Sequence, residues 1–225
     1  MSLEWSISPL SVGLRADAMF GVAPRICGPL HSRFPSRKSR CMVDCLSRLE
    51  ADFCVLLEMS PNVLAFQLMA PRSRRAATPV RSGSRYFEMT LADGSEQCAV
   101  LRREGSVPGR IRAPLEIEPD APIAIAASSI RQEPRLQNLR RLAHYLPPHL
   151  PRADACRRAV QLLHREAATS MHEAAKAVGQ ATLSALLAAG YAWCSLDQCI
   201  RSETKIGYAA QPHDDWFFVS QRHGF

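Results

Sequence analysis

Lysine is nearly missing from this chain: of 28 basic side chains only Lys38, Lys176 and Lys205 are lysines, and the rest are arginines. Lysine amines that could help orient or activate water are therefore scarce, and arginine replaces them poorly because it stays charged at any working pH. No stretch approaches the ~20 consecutive apolar residues that span a bilayer, so no membrane partner is expected. Glu4 and Arg15 interrupt any charged-then-apolar leader, which points to the cytoplasm. A glycine-rich phosphate loop is also lacking, which leaves nucleotide hydrolysis unsupported. The seven histidines are spread singly, and none joins a Cys or Ser in a nucleophile motif. Eight cysteines form no CxxC pair; Cys41 and Cys45 have helical spacing but no second pair at zinc spacing. Buried free thiols are the expectation.

What is present is a globular composition, 47% hydrophobic and 22% charged, in 225 residues. That length suits one large domain or two small ones. A formal net charge of +7 should draw the chain to polyanions, and arginine suits bidentate contacts to phosphate and guanine.

Residues 1–45 are rich in Ser, Pro, Gly and Arg and end in the basic run Arg33, Arg37, Lys38, Arg40. They read as a flexible basic arm. From Ser47 the spacing of Leu49, Phe53, Leu56 and Leu57 predicts an amphipathic helix, stopped at Ser60-Pro61. A short strand follows at 63–67. Arg72, Arg74, Arg75, Arg81 and Arg85 then form a basic loop without an acid. Residues 86–92 and 97–102 flank Asp93-Gly94, the best hairpin signal in the chain. A long loop over 104–121, a buried strand at 123–127 and a helix at 135–145 complete this part. Pro147-Pro148-His149-Leu150-Pro151 reads as a linker.

Beyond it, Asp154 is placed to cap one helix. Thr169-Ser170 with Glu173 predicts a capping-box start for a second over 171–178. Gly179 makes a tight turn, and Leu183, Leu186 and Leu187 stripe a third helix that ends at Gly190. Two β-prone pieces, at 191–193 and 205–208, close the unit. Helix, helix, turn, helix, β-ribbon is the order of a winged helix-turn-helix, expected over 152–209 and followed by a tail, 210–225. Gln180, Thr182 and Ser184 are the polar residues its third helix could present to base edges. Lys176, Arg201 and Lys205 could add backbone contacts.

Three stretches also carry a family likeness. They are Ser47-Arg48-Leu49-Glu50-Ala51-Asp52-Phe53 with Pro61-Asn62-Val63 and Gln67; Arg85-Tyr86 with Ala92-Asp93-Gly94; and Ile130-Arg131-Gln132-Glu133-Pro134-Arg135 with Asn138, Leu142 and Tyr145. Together they resemble the N-terminal domain of TnsA-type endonucleases, the cutting subunit of heteromeric transposases. The resemblance implies an α+β or α/β fold over 46–146, a restriction-endonuclease-like mixed sheet with flanking helices, ahead of the winged helix. It implies DNA as substrate, Mg²⁺ as cofactor and a transposase subunit as a possible protein partner. Such chemistry needs carboxylates on adjacent strands to hold Mg²⁺ and a lysine to orient water. Glu50 matches the family's first acid. Glu88 is the only carboxylate near its Pro-Asp position, and Arg103 stands where the lysine belongs. Asp93 could join Glu50 and Glu88 as a third acid, or simply serve the turn.

The expectation is a DNA-binding protein of a mobile element with a degraded catalytic site. The alternatives are an active Mg²⁺-dependent endonuclease, with Glu50 and Glu88 as catalytic metal ligands, and a winged-helix regulator or protein-interaction module.

Overall fold

A computed structural model describes residues 32–69, 85–102, 122–213 and 216–219. Its first element corrects the flexible-arm expectation for residues 32–45, while residues 1–31 lie outside the described residues. Strands β1 (Ser32–Ser36) and β2 (Cys41–Cys45) pair antiparallel as a hairpin. The basic run is drawn into structure because its turn packs on the following helix: Ser36 Oγ and the backbone N–H groups of Arg37 and Lys38 donate to the buried Glu58 carboxylate.

That helix, α1 (Arg48–Met59), begins where the sequence reading puts it. Ser47 caps it by accepting from the Glu50 backbone N–H at 3.2 Å, while Glu50 reaches back to Leu46 N–H at 2.6 Å. These bonds satisfy amide groups that have no partner inside the helix. Ser60 N–H closes the other end on Leu56 O, and Pro61 prevents continuation. Most of α1 is buried, Asp52 and Glu58 included. It is the central beam of the molecule rather than a surface helix.

Strands β3 (Val63–Met69), β4 (Tyr86–Leu91), β5 (Glu96–Arg102) and β6 (Ile123–Ala126) form a four-stranded sheet in that order. The first two pairings are antiparallel and β5 pairs β6 in parallel. The β4–β5 turn is the one expected: Asp93 accepts from Ser95 N–H and Oγ, and Gly94 sits at φ 84°. Strand alternation sends Phe87, Met89 and Leu91 toward α1, where Phe87 meets Phe53 edge-on at 4.8 Å. The sixth strand alternates instead of being buried throughout. Short α2 (Ala127–Ile130) and α3 (Arg135–His144) then return across α1.

The remaining elements are α4 (Ala153–Arg165), α5 (Met171–Val178), α6 (Gln180–Ala188), β7 (Ala192–Trp193) and β8 (Gly207–Tyr208), the last two pairing antiparallel. The capping box forms as expected, with Ser170 and Glu173 exchanging bonds at the start of α5. Asp154 does not cap α4. Arg152 occupies that position without a side-chain bond, and Asp154 lies in the first turn, where its charge favours the helix dipole.

The proline-rich segment 147–151 does not separate two cores. One continuous buried cluster includes residues from α1, the sheet, α3, α4 and α6. Asn138 on α3, itself buried, stitches the halves. Its amide donates to Leu196 O and Gln198 O and accepts from Ile200 N–H, at 3.2, 2.7 and 3.0 Å. The chain is thus a mixed α+β body, a four-stranded mixed sheet with flanking helices.

The β7–β8 ribbon leaves no room for another atom at one point. Gly207 lies opposite Trp193, and a Cβ there would come within 2.2 Å of the indole ring. Gly207→Ala is expected to destabilise the protein by about 1–3 kcal/mol, read as a lower urea midpoint. An unchanged midpoint would mean that the ring swings aside freely.

Candidate functional site

The acids of α1 each have a structural partner. Glu50 accepts from Arg85 Nη1 at 3.1 Å, with both side chains largely buried. Arg85 also donates to Asp44 O at 2.7 Å, which ties the start of β4 to the hairpin. Asp52 lies between Arg140 at 2.5 Å and Arg131 at 3.5 Å. Beside Glu50, the Cys45 and Cys54 thiols share a hydrogen bond at 3.7 Å and form no disulfide. The Cys54 contact holds the Cys45 thiol below its usual value, and burial pushes Cys54 well up.

Glu50 and Glu88 are not brought together. Arg85, which meets Glu50, has the strand parity of Phe87 and Met89, the residues facing α1. Glu88 has the opposite parity and pairs across strands with Gln67, whose amide donates to it at 2.8 Å. The sheet separates the two carboxylates. On the α1 side of β4 and β5 stand Phe87, Met89 and Leu91, then Gln97 and Ala99, with Leu101 partly buried against the same core. Oxygen ligands are what Mg²⁺ requires, and these side chains supply no carboxylate, only the amide of Gln97. Among the described residues no three His, Cys, Asp or Glu side chains gather as a ligand set. The donors expected for Mg²⁺ therefore do not fit it. Asp93, fully exposed in its turn, uses its carboxylate on Ser95, which holds that carboxyl below its ordinary value.

Of the expected DNA contacts, Arg72, Arg74, Arg75 and Arg81 lie outside the described residues, as does the catalytic candidate Arg103. Arg85 is turned inward to Glu50 and does not line an open groove. Ser184 is a clear correction: it is fully buried, along with every residue of α6 from Leu183 to Ala188. The helix expected to read base edges is packed into the core because its sequence is apolar all round. Only its first turn, with Gln180 and Thr182 half-buried, reaches the surface. Lys176, Arg201 and Lys205 are exposed.

Sequence reasoning missed a cleft of about 220 Å³ where α3, α5 and the start of α6 meet the segment around Arg201. Arg141, His172, Gln180, Arg201 and Ser202 surround a floor that includes Leu142, and no acidic side chain lines it. Arg141 donates to Ile200 O at 3.0 Å, and His172 N–H to Ser202 O at 3.0 Å. The walls are thus tied to one another through the backbone. Arg141, His172 and Arg201 come from three separate stretches of the chain, so no local motif announces them. A comparison with protein-family profiles and with curated proteins finds no match to this chain.

Proposed function

We propose that this chain is a DNA-binding protein built on a TnsA-like plan, and that it holds DNA without cutting it. The observation that carries this reading is the interface between α1 and the sheet. A nuclease of that plan needs carboxylates there, whereas here Glu50 is committed to Arg85 and the opposing strand positions, apolar except for Gln97, offer no carboxylate. A chain of charge +7 that lacks metal chemistry at this place retains electrostatic attraction to a duplex.

Helices α4, α5 and α6 with the β7–β8 ribbon follow winged-helix order. With α6 inside the core, that unit positions the complex and leaves base sequence largely unread. An association with a transposase subunit would follow from the same plan. Docking of a protein on the exposed side of α4 is the second reading, favoured by the burial of α6.

Fluorescence anisotropy with labelled duplexes of unrelated sequence tests the proposal. Binding should be similar for all sequences and should weaken by roughly 10³-fold or more between about 50 and 200 mM salt if six or more phosphates are engaged. Supercoiled plasmid should survive incubation with Mg²⁺ or Mn²⁺. Absence of binding at low salt would sink the DNA reading. Nicking by the wild type that disappears in Glu50→Ala would sink the non-cutting half.

A further inference from the structure

The cleft described above combines two arginines, a histidine and a glutamine with a lining free of acidic side chains. Resting on the DNA-binding reading, we propose that it seats one backbone phosphate of a bound duplex. Arg141 has one guanidinium N–H fixed on Ile200 O. Its remaining donors keep the planar fork suited to bidentate phosphate contact. Arg201 also lines the cleft, and its backbone N–H donates to Thr204 Oγ1 at 2.9 Å. His172 and Gln180 bring further donors. Lys176 lies four residues beyond His172 and is exposed one turn along the same face of α5. At about 220 Å³ the space is below the ~300 Å³ at which drug-sized pockets begin, and it suits a small anion better than a base or a cofactor. Because its walls are tied through Ile200, Ser202 and Thr204, little ordering is needed on binding.

Glu203 stands at the rim and acts against the anion. Its carboxylate accepts from Ser202 Oγ at 2.6 Å, and that bond, with smaller help from Arg201 and His172, holds its pKa down. The seat is therefore partly neutralised when empty. Removing that charge should improve phosphate binding, an effect that general structural damage does not produce.

The test uses the full chain and labelled duplex DNA over a salt series, with circular dichroism to check each variant's fold. Arg201→Ala together with His172→Gln should weaken all duplexes alike by roughly tenfold at moderate salt, and lower the log–log salt slope by about one. Glu203→Gln should tighten binding by several-fold, and more than Glu96→Gln on β5. Inorganic phosphate, followed through the ring signal of His172, forms a second arm. If wild type binds DNA and the cleft variants keep its affinity and slope, the seat is wrong while the DNA reading stands. If wild type binds no DNA but phosphate shifts His172 and Arg201→Ala abolishes that shift, the cleft is an anion site and the DNA reading has failed. If neither ligand binds, the proposal is overturned.

Discussion

Asp52→Ala is expected to destabilise the protein by about 3 kcal/mol, the lower end of the range for breaking a buried ion pair. The side chain is only 5% exposed, in the middle of the most buried helix. One carboxylate oxygen accepts from Arg140 Nη2 at 2.5 Å, and the other faces Arg131 Nε at 3.5 Å. The two arginines are not equivalent. Arg131 is half-exposed, so water replaces most of what it loses. Arg140 is about one-fifth exposed and would keep its charge in a partly closed space, which sets most of the cost. The consequence reaches beyond the pair, because these contacts clamp α1 against α2 and α3. Asn138 on α3 in turn holds the 196–200 segment. Urea unfolding of Asp52→Ala, Arg140→Ala and the double variant would measure the coupling. A cycle that closes with no interaction energy would remove the clamp from the account.

That acid was legible in the sequence and was passed over. Asp52 lies three residues after Leu49 and four before Leu56, on the stripe that predicted the helix. A carboxylate on a buried stripe must find partners, and arginines lay in the stretch 131–141. Local signals were read well where they rest on short-range chemistry. Ser47 and Ser170 cap their helices, Asp93-Gly94 turns the hairpin, and Gly179 and Gly190 both take positive φ. Failures came where long-range packing decides. The hairpin over 32–45 looked like an arm because the acid that organises its turn, Glu58, lies about twenty residues later. Ser184 has the polarity of a base contact, but it sits among Leu183, Ala185, Leu186 and Leu187, and a helix stretch apolar on its other positions has no face left for DNA. The pairing of Glu50 with Arg85 spans 35 residues and gives no local sign. Pro147 to Pro151 has linker composition, but the elements on either side of it share one buried core.

The turn around Glu58 carries the other large expected effect. Glu58 has no exposed surface and receives Ser36 Oγ at 2.9 Å and Arg37 N–H at 2.8 Å, with Lys38 N–H at 3.3 Å. In Glu58→Gln the amide would present its own donors to part of that set. A loss of about 2–4 kcal/mol is expected from donors left buried and unpaired, with faster amide exchange across residues 32–45 before the rest of the chain. Uniform exchange in that variant would contradict a local anchoring role. Lys38 adds a pH dependence. Its stem reaches the surface, but its amine is enclosed, donating to Leu57 O at 3.1 Å and to Ser60 O. Burial, opposed by Glu58, pushes its pKa down from 10.5 to about 7. Between those values the unfolded chain holds a proton that the folded chain has released. The penalty is therefore complete below pH 7, and stability rises as pH increases toward 10.5. The ceiling is one proton, about 1.4 kcal/mol per pH unit, before solvent screening. Lys38→Met should lose this rise. In Glu58→Gln the attraction that favours the ammonium is gone, so the rise should begin at lower pH. Parallel pH profiles for wild type and Lys38→Met would show that the amine stays charged and that its two carbonyl partners outweigh its burial.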